Sequence, residues 1–488
     1  MILNKFALSL RPALAVAALF VGCLALESNL SAQVFQAGAA TSNITPPLGQ
    51  NIVGGFSPAP SKHVHDELHA RCLVLDDGKT RLALVVCDLV GLHRLVSDEA
   101  RKLIEEKVKI PRSHVLISAT HTHSASSALG KNRFQHEQSL DEYQAFVARR
   151  IADGVQTAVN NLRPAEMAFG TAEAPEHVFN RRWTMQPGTV PANPFGTLDL
   201  VKMNPGAGNP NLVDPAGPTD PTVSFFAFRE PGGKPVSVFS AYSLHYVGGV
   251  GNGHISADYY GMYCDHLLRL LSAERQDPPF VALMANGTSG DVNNINFRQP
   301  RPRQAPYAQM RIVAEDVAAK VHAAIEKLEY RKNVTLDARY QEPKIAFRHP
   351  TAEQLEWAKK TTAAGPKSKG GADLSFIYAE RTLHMANYPE TTPVPLQALR
   401  IGDVLIGTMP CEVFCEIGLE FKQRLAPRPA FMVELNHDYL GYLPTPRHHK
   451  LGGYETWLGT NRLEVEASDK LLAELVKMAG EMKSDERK

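Results

Sequence analysis

Two histidines, His121 and His123, stand where a short apolar run ends and a polar loop begins. The run HVLIS, residues 114–118, has the apolar, β-branched composition of a buried strand, and THTHS follows it almost at once. Residues i and i+2 of an extended segment point the same way, so both imidazoles can face one pocket. One ring could bind a metal ion while the other transfers a proton. The alternative is a pair of loop histidines that bond to backbone groups.

A second apolar strand delivers another histidine, His245. The sequence TVSFFAFRE, a Gly-Gly turn and KPVSVFSAYSLHYVGG predict a hairpin that ends at this residue. A further strand, FVALMAN, runs into the polar loop 286–294, and a helix is predicted to open with Glu412. Two histidines and a glutamate, with an open position for water, are typical of a zinc site that hydrolyses amides. The same ligands accept other divalent ions.

The elements that must position these residues alternate between strand and helix. The segment ARCLVLDDGKTRLALVVCDLVGL predicts a hairpin about the turn at residues 76–78, and a helix over 96–107 joins it to the HVLIS strand. Strand, helix and strand form a βαβ unit. Further helices are predicted over residues 142–161, 307–330 and 463–483, with a solvated helical pair over 352–386. We therefore predict an α/β fold with mixed β-sheets flanked by helices.

One long segment departs from this alternation. Residues 180–220 are rich in Pro, Gly and Asn, a composition typical of a surface loop. A loop of this length inside a compact domain is either functional or disordered. We expect it to form a wall of a pocket.

Charge and the N-terminus limit the partners and the location. Lys and Arg total 52 against 51 for Asp and Glu, so the chain lacks the basic surplus that nucleic acid or an anionic membrane would require. Residues 1–32 have the basic start and apolar run of a secretory signal that is too short to span a membrane. We predict an exported protein, periplasmic or secreted, with residues 33–488 as a single large domain. Cleavage before Cys23, as in a lipoprotein, is the alternative.

The five cysteines after the signal do not form a recognisable pattern. Their number is odd and no CxxC pair occurs, which argues against a disulfide framework or a cysteine zinc site. We expect them to be buried as small apolar side chains.

Six segments together resemble one known family, the neutral/alkaline non-lysosomal ceramidases. They occur in the family's order and cover roughly residues 36–483: ISATHTHSASSALG, FNRRW, SLHYVGGVGNGHISADYYG, NGTSGDVNN, PCEVFCEIGLEF and DYLGYLPTPRHHKLGGYET. The resemblance implies the ceramidase catalytic-domain fold. The chain stops soon after the last segment, so we expect no C-terminal β-sandwich domain.

The resemblance also implies roles for single residues. It implies that Zn²⁺ is bound by His121, His245, Glu412 and Tyr442. It implies that His123, Arg181 and Tyr454 act on the substrate by polarising an amide carbonyl, stabilising the oxyanion and transferring protons. Asp291 would organise the site from behind the ligands. The implied reaction is cleavage of an N-acyl amide by a zinc-bound hydroxide.

Departures from the family pattern leave the substrate open. Ala125 to Ala128 replace a Gly-Pro-Gly-Gly turn, and Tyr246-Val247 replaces Gly-Thr after His245. We expect an exported zinc-dependent amidohydrolase that acts on a lipid or other small amide. The alternatives are a metal-dependent hydrolase of another ester or amide and a non-catalytic binding protein that retains the scaffold.

Overall fold

Three β-sheets with the same topology occupy the centre of the protein. The structure is a computed structural model that describes residues 34–56, 58–130, 134, 139–367 and 372–484. The first sheet contains β1 (Gln36–Asn43), β2 (His69–Asp76), β3 (Arg81–Cys87) and β4 (Val115–Ala119), with Arg163–Pro164 beside β1. The second contains β5 (Glu166–Glu173), β6 (Thr222–Arg229), β7 (Pro235–Tyr242) and β8 (Val281–Asn286). The third contains β9 (Leu336–Gln341), β10 (Leu396–Ile401), β11 (Val404–Met409) and β12 (Ala430–Glu434).

Helices cover the outer face of each sheet. They are α1 (Arg94–Val108), α2 (Glu142–Asn160), α3 (Asp258–Leu270), α4 (Ala308–Ile325), α5 (Ala352–Ala364), α6 (Leu374–Met385), α7 (Cys415–Leu425), α8 (Pro446–Leu451) and α9 (Ala467–Gly480). Apolar residues of α1 and α2 pack on the first sheet, those of α3 and α4 on the second, and those of α7 and α9 on the third. The inner faces meet in one common core that includes Leu84, Phe239 and Ile406. Burial on both faces accounts for the continuous apolar runs of the strands.

The last three strands of each sheet follow one chain order: two antiparallel strands form a hairpin, a helix follows, and the next strand pairs in parallel with the second strand of the hairpin. The strands β2 and β3 are antiparallel, and α1 then leads to β4, which is parallel to β3. The pairs β7/β8 and β11/β12 are built in the same way, through α3 and α7. Parallel neighbours require such a crossover. Each sheet therefore presents one parallel pair whose two carboxyl ends lie side by side, where loops can carry functional groups.

Shorter strands join the loops that extend from these ends. The strand Glu412–Val413 pairs with Tyr442–Leu443, and Phe179–Asn180 pairs with Val292–Asn293. The remaining short strands are Asn51–Val53, Ala59–Pro60, His63–Val64, Ala125–Ser126, Arg182–Met185, Val201–Met203, Leu212–Pro215, His254–Ile255, Lys344–Ala346 and Thr391–Pro393.

The predicted fold class is confirmed, because mixed sheets flanked by helices form the protein. The βαβ unit, both hairpins and the helical pair over 352–386 are also present. The prediction of a loop over 180–220 is wrong in part. Three of its segments form a small antiparallel sheet, stabilised by Trp183 and Met185, which pack with Phe297. Local composition did not indicate this distant apolar contact.

Three further predictions concern the cysteines and the chain termini. Cys72, Cys87, Cys264, Cys411 and Cys415 are free and buried, as expected. No helix within the described residues is long and apolar enough to cross a membrane. The predicted signal, residues 1–32 with Cys23, lies outside the described residues. The residues that are described from Val34 onwards belong to one compact unit.

We predict that Glu416 stabilises the fold in a pH-dependent way. Its carboxylate accepts hydrogen bonds from Thr445 Oγ1 at 2.5 Å and Arg447 Nη2 at 2.6 Å, which tie α7 to the start of α8. Burial alone would raise the pKa of Glu416, but hydrogen bonds from His448 and Thr445 lower it from 4.5 to about 2. The stabilisation is therefore present above pH 4.5 and lost as the pH falls towards 2.

Denaturant unfolding of the parent and Glu416→Gln measures this effect. The difference in unfolding free energy should be constant above about pH 5 and should shrink as the pH falls from about 4.5 towards 2. Glu420→Gln, one turn further along α7 on an exposed residue, is the matched control and should differ little from the parent. A difference for Glu416→Gln that stays constant with pH would contradict the assignment.

Candidate metal centre

Three histidines meet where the first and second sheets end. The Nε2 atoms of His121 and His123 are 3.0 Å apart, and one ligand atom from each of His121, His123 and His245 lies within 4.8 Å of the others. Oε2 of Glu412, from the third sheet, is 3.2 Å from Nε2 of His121 and 3.6 Å from Nε2 of His245. This arrangement is a candidate metal site.

The outer ring nitrogens orient two of these histidines. Nδ1 of His121 lies 2.7 Å from the carbonyl oxygen of Val90, and Nδ1 of His245 lies 3.2 Å from that of Ser289. Because a carbonyl only accepts, each Nδ1 carries the hydrogen and each Nε2 presents its lone pair to the centre. This is the usual way in which a protein fixes a metal-binding imidazole.

His121 reaches the site through an unusual backbone conformation. Its φ of 73° lies in the left-handed region, and its N–H donates to the carbonyl of Leu89 at 2.9 Å. A side chain in this region is uncommon, and such conformations cluster at functional sites because the surrounding structure must impose them. The turn directs His121 inward directly after β4.

Glu412 carries the negative charge of the group. Oε1 accepts a hydrogen bond from the Tyr439 hydroxyl at 2.6 Å, whereas Oε2 is buried and has no hydrogen-bond partner. Burial acts to raise the pKa of Glu412, but its electrostatic interaction with His121 and the hydrogen bond from Tyr439 hold this pKa below its ordinary value. Burial and the charge of Arg181 lower the pKa of His245. At neutral pH the carboxylate is therefore ionised and His245 is neutral, which are the states that bind a cation.

Arg181 lies on the opposite side of His245 from the Ser289 carbonyl. Its Nη1 is 3.2 Å from Nε2 of His245, and its Nε donates to Oε1 of Glu455 at 3.0 Å. Arg182 donates to the other oxygen of Glu455 at 2.5 Å. One buried carboxylate thus holds two adjacent arginines, while Nη2 of Arg181 is buried without a hydrogen-bond partner.

Three tyrosines surround the histidines. The centre of the Tyr442 ring lies 5.2 Å from the guanidinium carbon of Arg181. The ring of Tyr454 packs edge-on against the ring of Tyr442, with ring centres 5.7 Å apart. Burial raises the pKa of Tyr442, so its hydroxyl keeps its proton at neutral pH. The ring of Tyr246 stacks on His123, with ring centres 3.7 Å apart. Tyr246, a departure from the family pattern, therefore fixes the orientation of His123.

The loop 287–291 after β8 supports the site from behind. The carboxylate of Asp291 accepts hydrogen bonds from Asn180 Nδ2 at 2.7 Å and from the N–H of Cys415 at 2.8 Å, and its carbonyl accepts from the N–H of Arg181. The Ser289 hydroxyl donates to Glu434, whose other oxygen accepts from the N–H of Val413. The loop thus connects the segments that carry Arg181, His245 and Glu412.

The seven residues predicted from the sequence all lie at this site. His121, His123, Glu412, Tyr442 and Tyr454 line a small cavity of about 30 Å³, and His245 and Arg181 lie behind it. One water molecule needs about 15 Å³, so the cavity holds about two. A larger cavity, about 590 Å³, lies elsewhere and is lined by none of the seven.

One detail differs from the sequence prediction. Glu412 does not open the helix. It lies on a two-residue strand, and α7 begins at Cys415, whose N–H is held by the distant Asp291. His123 lies within reach of His121 and His245, and its action on the substrate stays a prediction.

Several residues of the site were not predicted. They are Tyr439, which bonds to Glu412; Glu455, which holds both arginines; Glu434; and two further cavity residues, Arg381 and Arg462. Each acts on a partner far away in the sequence, so no local spacing marks it. The sequence offered one indication of these residues: Glu455 is adjacent to Tyr454, which was itself predicted to lie at the site.

The fold and the site define an α/β protein with a buried group of three histidines at the convergent ends of its sheets. The family described as neutral/alkaline non-lysosomal ceramidase, N-terminal, matches residues 35–303, and the chain belongs to this family.

Known relatives agree with this assignment. "Neutral ceramidase" of Pseudomonas aeruginosa is 24% identical over 315 residues, which are 60% of this chain and 42% of the relative. The matched region thus spans less than half of that relative. The crystal structure of neutral ceramidase from Pseudomonas aeruginosa superimposes with a TM-score of 0.67 at 17% identity, covering 93% of this chain and 76% of that one. A structure described as "Ceramidase complexed with C2" gives 0.68 at 18% identity, covering 92% and 75%. Both show the same fold.

We predict that Gly290 is required for the close contact between the loop 287–291 and Glu412. A Cβ atom there would lie 2.5 Å from the carbonyl oxygen of Glu412 and 3.0 Å from the carbonyl carbon of Val413. These are backbone atoms, so Gly290→Ala must displace the strand and should lower the unfolding free energy by about 1–3 kcal/mol. Gly232→Ala is the matched control, since a Cβ there meets nothing within 4 Å. Equal stability of the two variants in denaturant would show that the contact does not constrain the loop.

Proposed function

We propose that this chain is an exported, zinc-dependent hydrolase that cleaves an N-acyl amide bond in a lipid or other amphiphilic substrate. The observation that carries the proposal is the group formed by His121, His245 and the unpartnered Oε2 of Glu412. Family membership supports an amidohydrolase, and the sequence of residues 1–32 supports export.

The residues present fit a zinc ion. A buried carboxylate oxygen without a hydrogen-bond partner is costly unless a cation or donor satisfies it. Imidazole nitrogen and carboxylate oxygen are ligands that zinc prefers, and His121, His245, Glu412 and Tyr442 would hold it. When bound, zinc lowers the pKa of water and polarises a carbonyl, so that hydrolysis can proceed at neutral pH.

The other residues act on the substrate. Nη2 of Arg181 is charged, buried and without a hydrogen-bond partner, so it can donate to the oxygen that becomes negative as the amide carbonyl is attacked. Glu455 holds the guanidinium in place for this role. The half-buried Tyr454 lines the cavity and can donate its hydroxyl to the same oxygen. His123, held by Tyr246, is placed to move a proton between water and the leaving nitrogen.

We predict that the purified parent contains about one zinc per chain. His121→Ala and His245→Ala should each lose most of this metal but still fold, because each removes one of few ligands. His349→Ala, a change to an exposed histidine away from the site, is the matched control and should retain the metal. Elemental analysis after gel filtration measures the content, with circular dichroism as the test of folding. No metal in the parent, even after incubation with zinc, would leave the non-catalytic binding protein as the better interpretation.

We predict that Tyr454→Phe keeps the zinc and loses rate. Removing one hydrogen-bond donor to a developing oxyanion lowers kcat by about 100-fold or more. The assay is release of fatty acid from N-acyl amides, beginning with ceramides. Tyr330→Phe, which removes a hydroxyl in the segment that follows α4, should match the parent. Loss of zinc in Tyr454→Phe would make this tyrosine a ligand, and an unchanged kcat would remove it from the reaction.

A further inference from the structure

Two arginines line the cavity beside the histidines. Arg381, from α6, and Arg462 are both buried, with exposed fractions of 4% and 5%, and both contribute to the cavity wall together with His121, His123 and Tyr454. Neither was predicted from the sequence, and neither has a role in the proposed reaction. Each places a full positive charge next to the site of the proposed reaction.

Arg381 has few polar partners. Its Nη1 donates to the Thr460 hydroxyl at 3.3 Å, and its guanidinium carbon lies 4.7 Å from the centre of the Tyr378 ring and 5.4 Å from that of Phe56. Its Nε is buried without a hydrogen-bond partner. Among the residues that the structure describes, no carboxylate forms an ion pair with it.

Several other buried arginines of the protein are paired with acids, while Arg400 donates to the carbonyl oxygens of Thr335 and Gly402 and to the Thr335 hydroxyl. Arg181 and Arg182 share Glu455, and Arg71 pairs with Asp88 beneath the first sheet. A buried charge without a counterion is unfavourable. Arg381 lines both the inner cavity and an adjoining cleft of about 300 Å³, so an anionic ligand in the cleft can supply the missing partner. The flat guanidinium matches a carboxylate in shape and in hydrogen-bond geometry.

A second cleft adjoins the inner cavity at Arg381. It has a volume of about 300 Å³ and shares Gly54 and Arg381 with the inner cavity. Its wall is largely apolar, with Val53, Phe56, Pro58, Leu129 and Ile377. Among its described lining residues the carboxylate is that of the exposed Glu380. An apolar chain can lie in this cleft while a compact charged group reaches Arg381.

We propose that the substrate is an N-acyl amino acid, whose carboxylate binds Arg381 and Arg462 next to the scissile amide. This inference rests on the proposed function. Water is added across the amide C–N bond: the acyl carbon gains the oxygen, and the nitrogen takes a proton. The products are a fatty acid and a free amino acid. A neutral N-acyl alcohol would leave the charge of Arg381 without a counterion.

The test compares two amides of equal chain length, using the full chain with its metal. N-dodecanoylglycine carries the carboxylate, and N-dodecanoylethanolamine carries a hydroxyl in its place. The parent should prefer the glycine amide in kcat/KM by about 10- to 100-fold, the value of a hydrogen bond to a charged group. Arg381→Met, which keeps the apolar stem, should reduce this preference by about 10-fold or more, mainly through KM. Arg381→Lys should restore part of it.

The matched control is Arg339→Met, a change to an exposed arginine on β9, which should leave the preference and both activities as in the parent. If Arg381→Met fails to fold by circular dichroism, Arg462→Met replaces it with the same expected result. A parent that prefers the ethanolamide, or a variant that weakens both substrates equally, would overturn the proposal.

A binding measurement separates this proposal from the proposed function. The probe is the ketone analogue of N-dodecanoylglycine, in which CH₂ replaces the amide nitrogen, titrated by calorimetry against parent and Arg381→Met. Ketone binding that is about 10-fold weaker in the variant supports the carboxylate site, whether or not the amides are cleaved. If neither amide is cleaved, only the hydrolase assignment fails. Cleavage of both amides with equal ketone binding by parent and variant would support the hydrolase and refute the carboxylate site.

Discussion

The loop 287–291 packs so closely on the backbone of Glu412 that a side chain at position 290 would collide with it. The other parts of the site depend on this contact. Through Asp291 the loop holds the Arg181 segment and the start of α7, and through Ser289 it orients His245. Groups from distant parts of the chain are thus positioned against one short, rigid segment. Such rigidity keeps donors and acceptors aligned before a ligand arrives, which is the main requirement for electrostatic catalysis.

Electrostatic balance is the second constraint. Many ionisable groups are buried in a small volume, and each needs a partner or a shifted pKa to remain there. Glu455 neutralises two arginines, and burial lowers the pKa of His245 while raising that of Glu434. Two buried atoms without a hydrogen-bond partner, Oε2 of Glu412 and Nη2 of Arg181, belong to residues that contact His245. These two atoms are available to a metal ion and a substrate.

The sequence was sufficient where local pattern determines structure. Apolar runs and turn residues predicted the hairpins, helical spacing predicted most helices, and strand ends predicted the positions of His121 and His245. Sequence patterns did not predict features that depend on contacts between distant segments of the chain. Glu412 looked like the start of α7, but the helix begins at Cys415, whose N–H is held by Asp291, more than a hundred residues earlier. Arg381 looked like one charge among many on a solvated helix, since its burial depends on Tyr378, Thr460 and the cavity wall.

The shared topology of the three sheets has an evolutionary consequence. Each sheet contributes its own group from its own parallel pair: imidazoles from the first and second, and a carboxylate from the third. Because these groups sit on loops after the strands, a substitution in one sheet changes one group and leaves the register of the other two intact. A scaffold with this modular design can exchange its ligands one at a time. Relatives can therefore diverge in chemistry while their architecture is conserved.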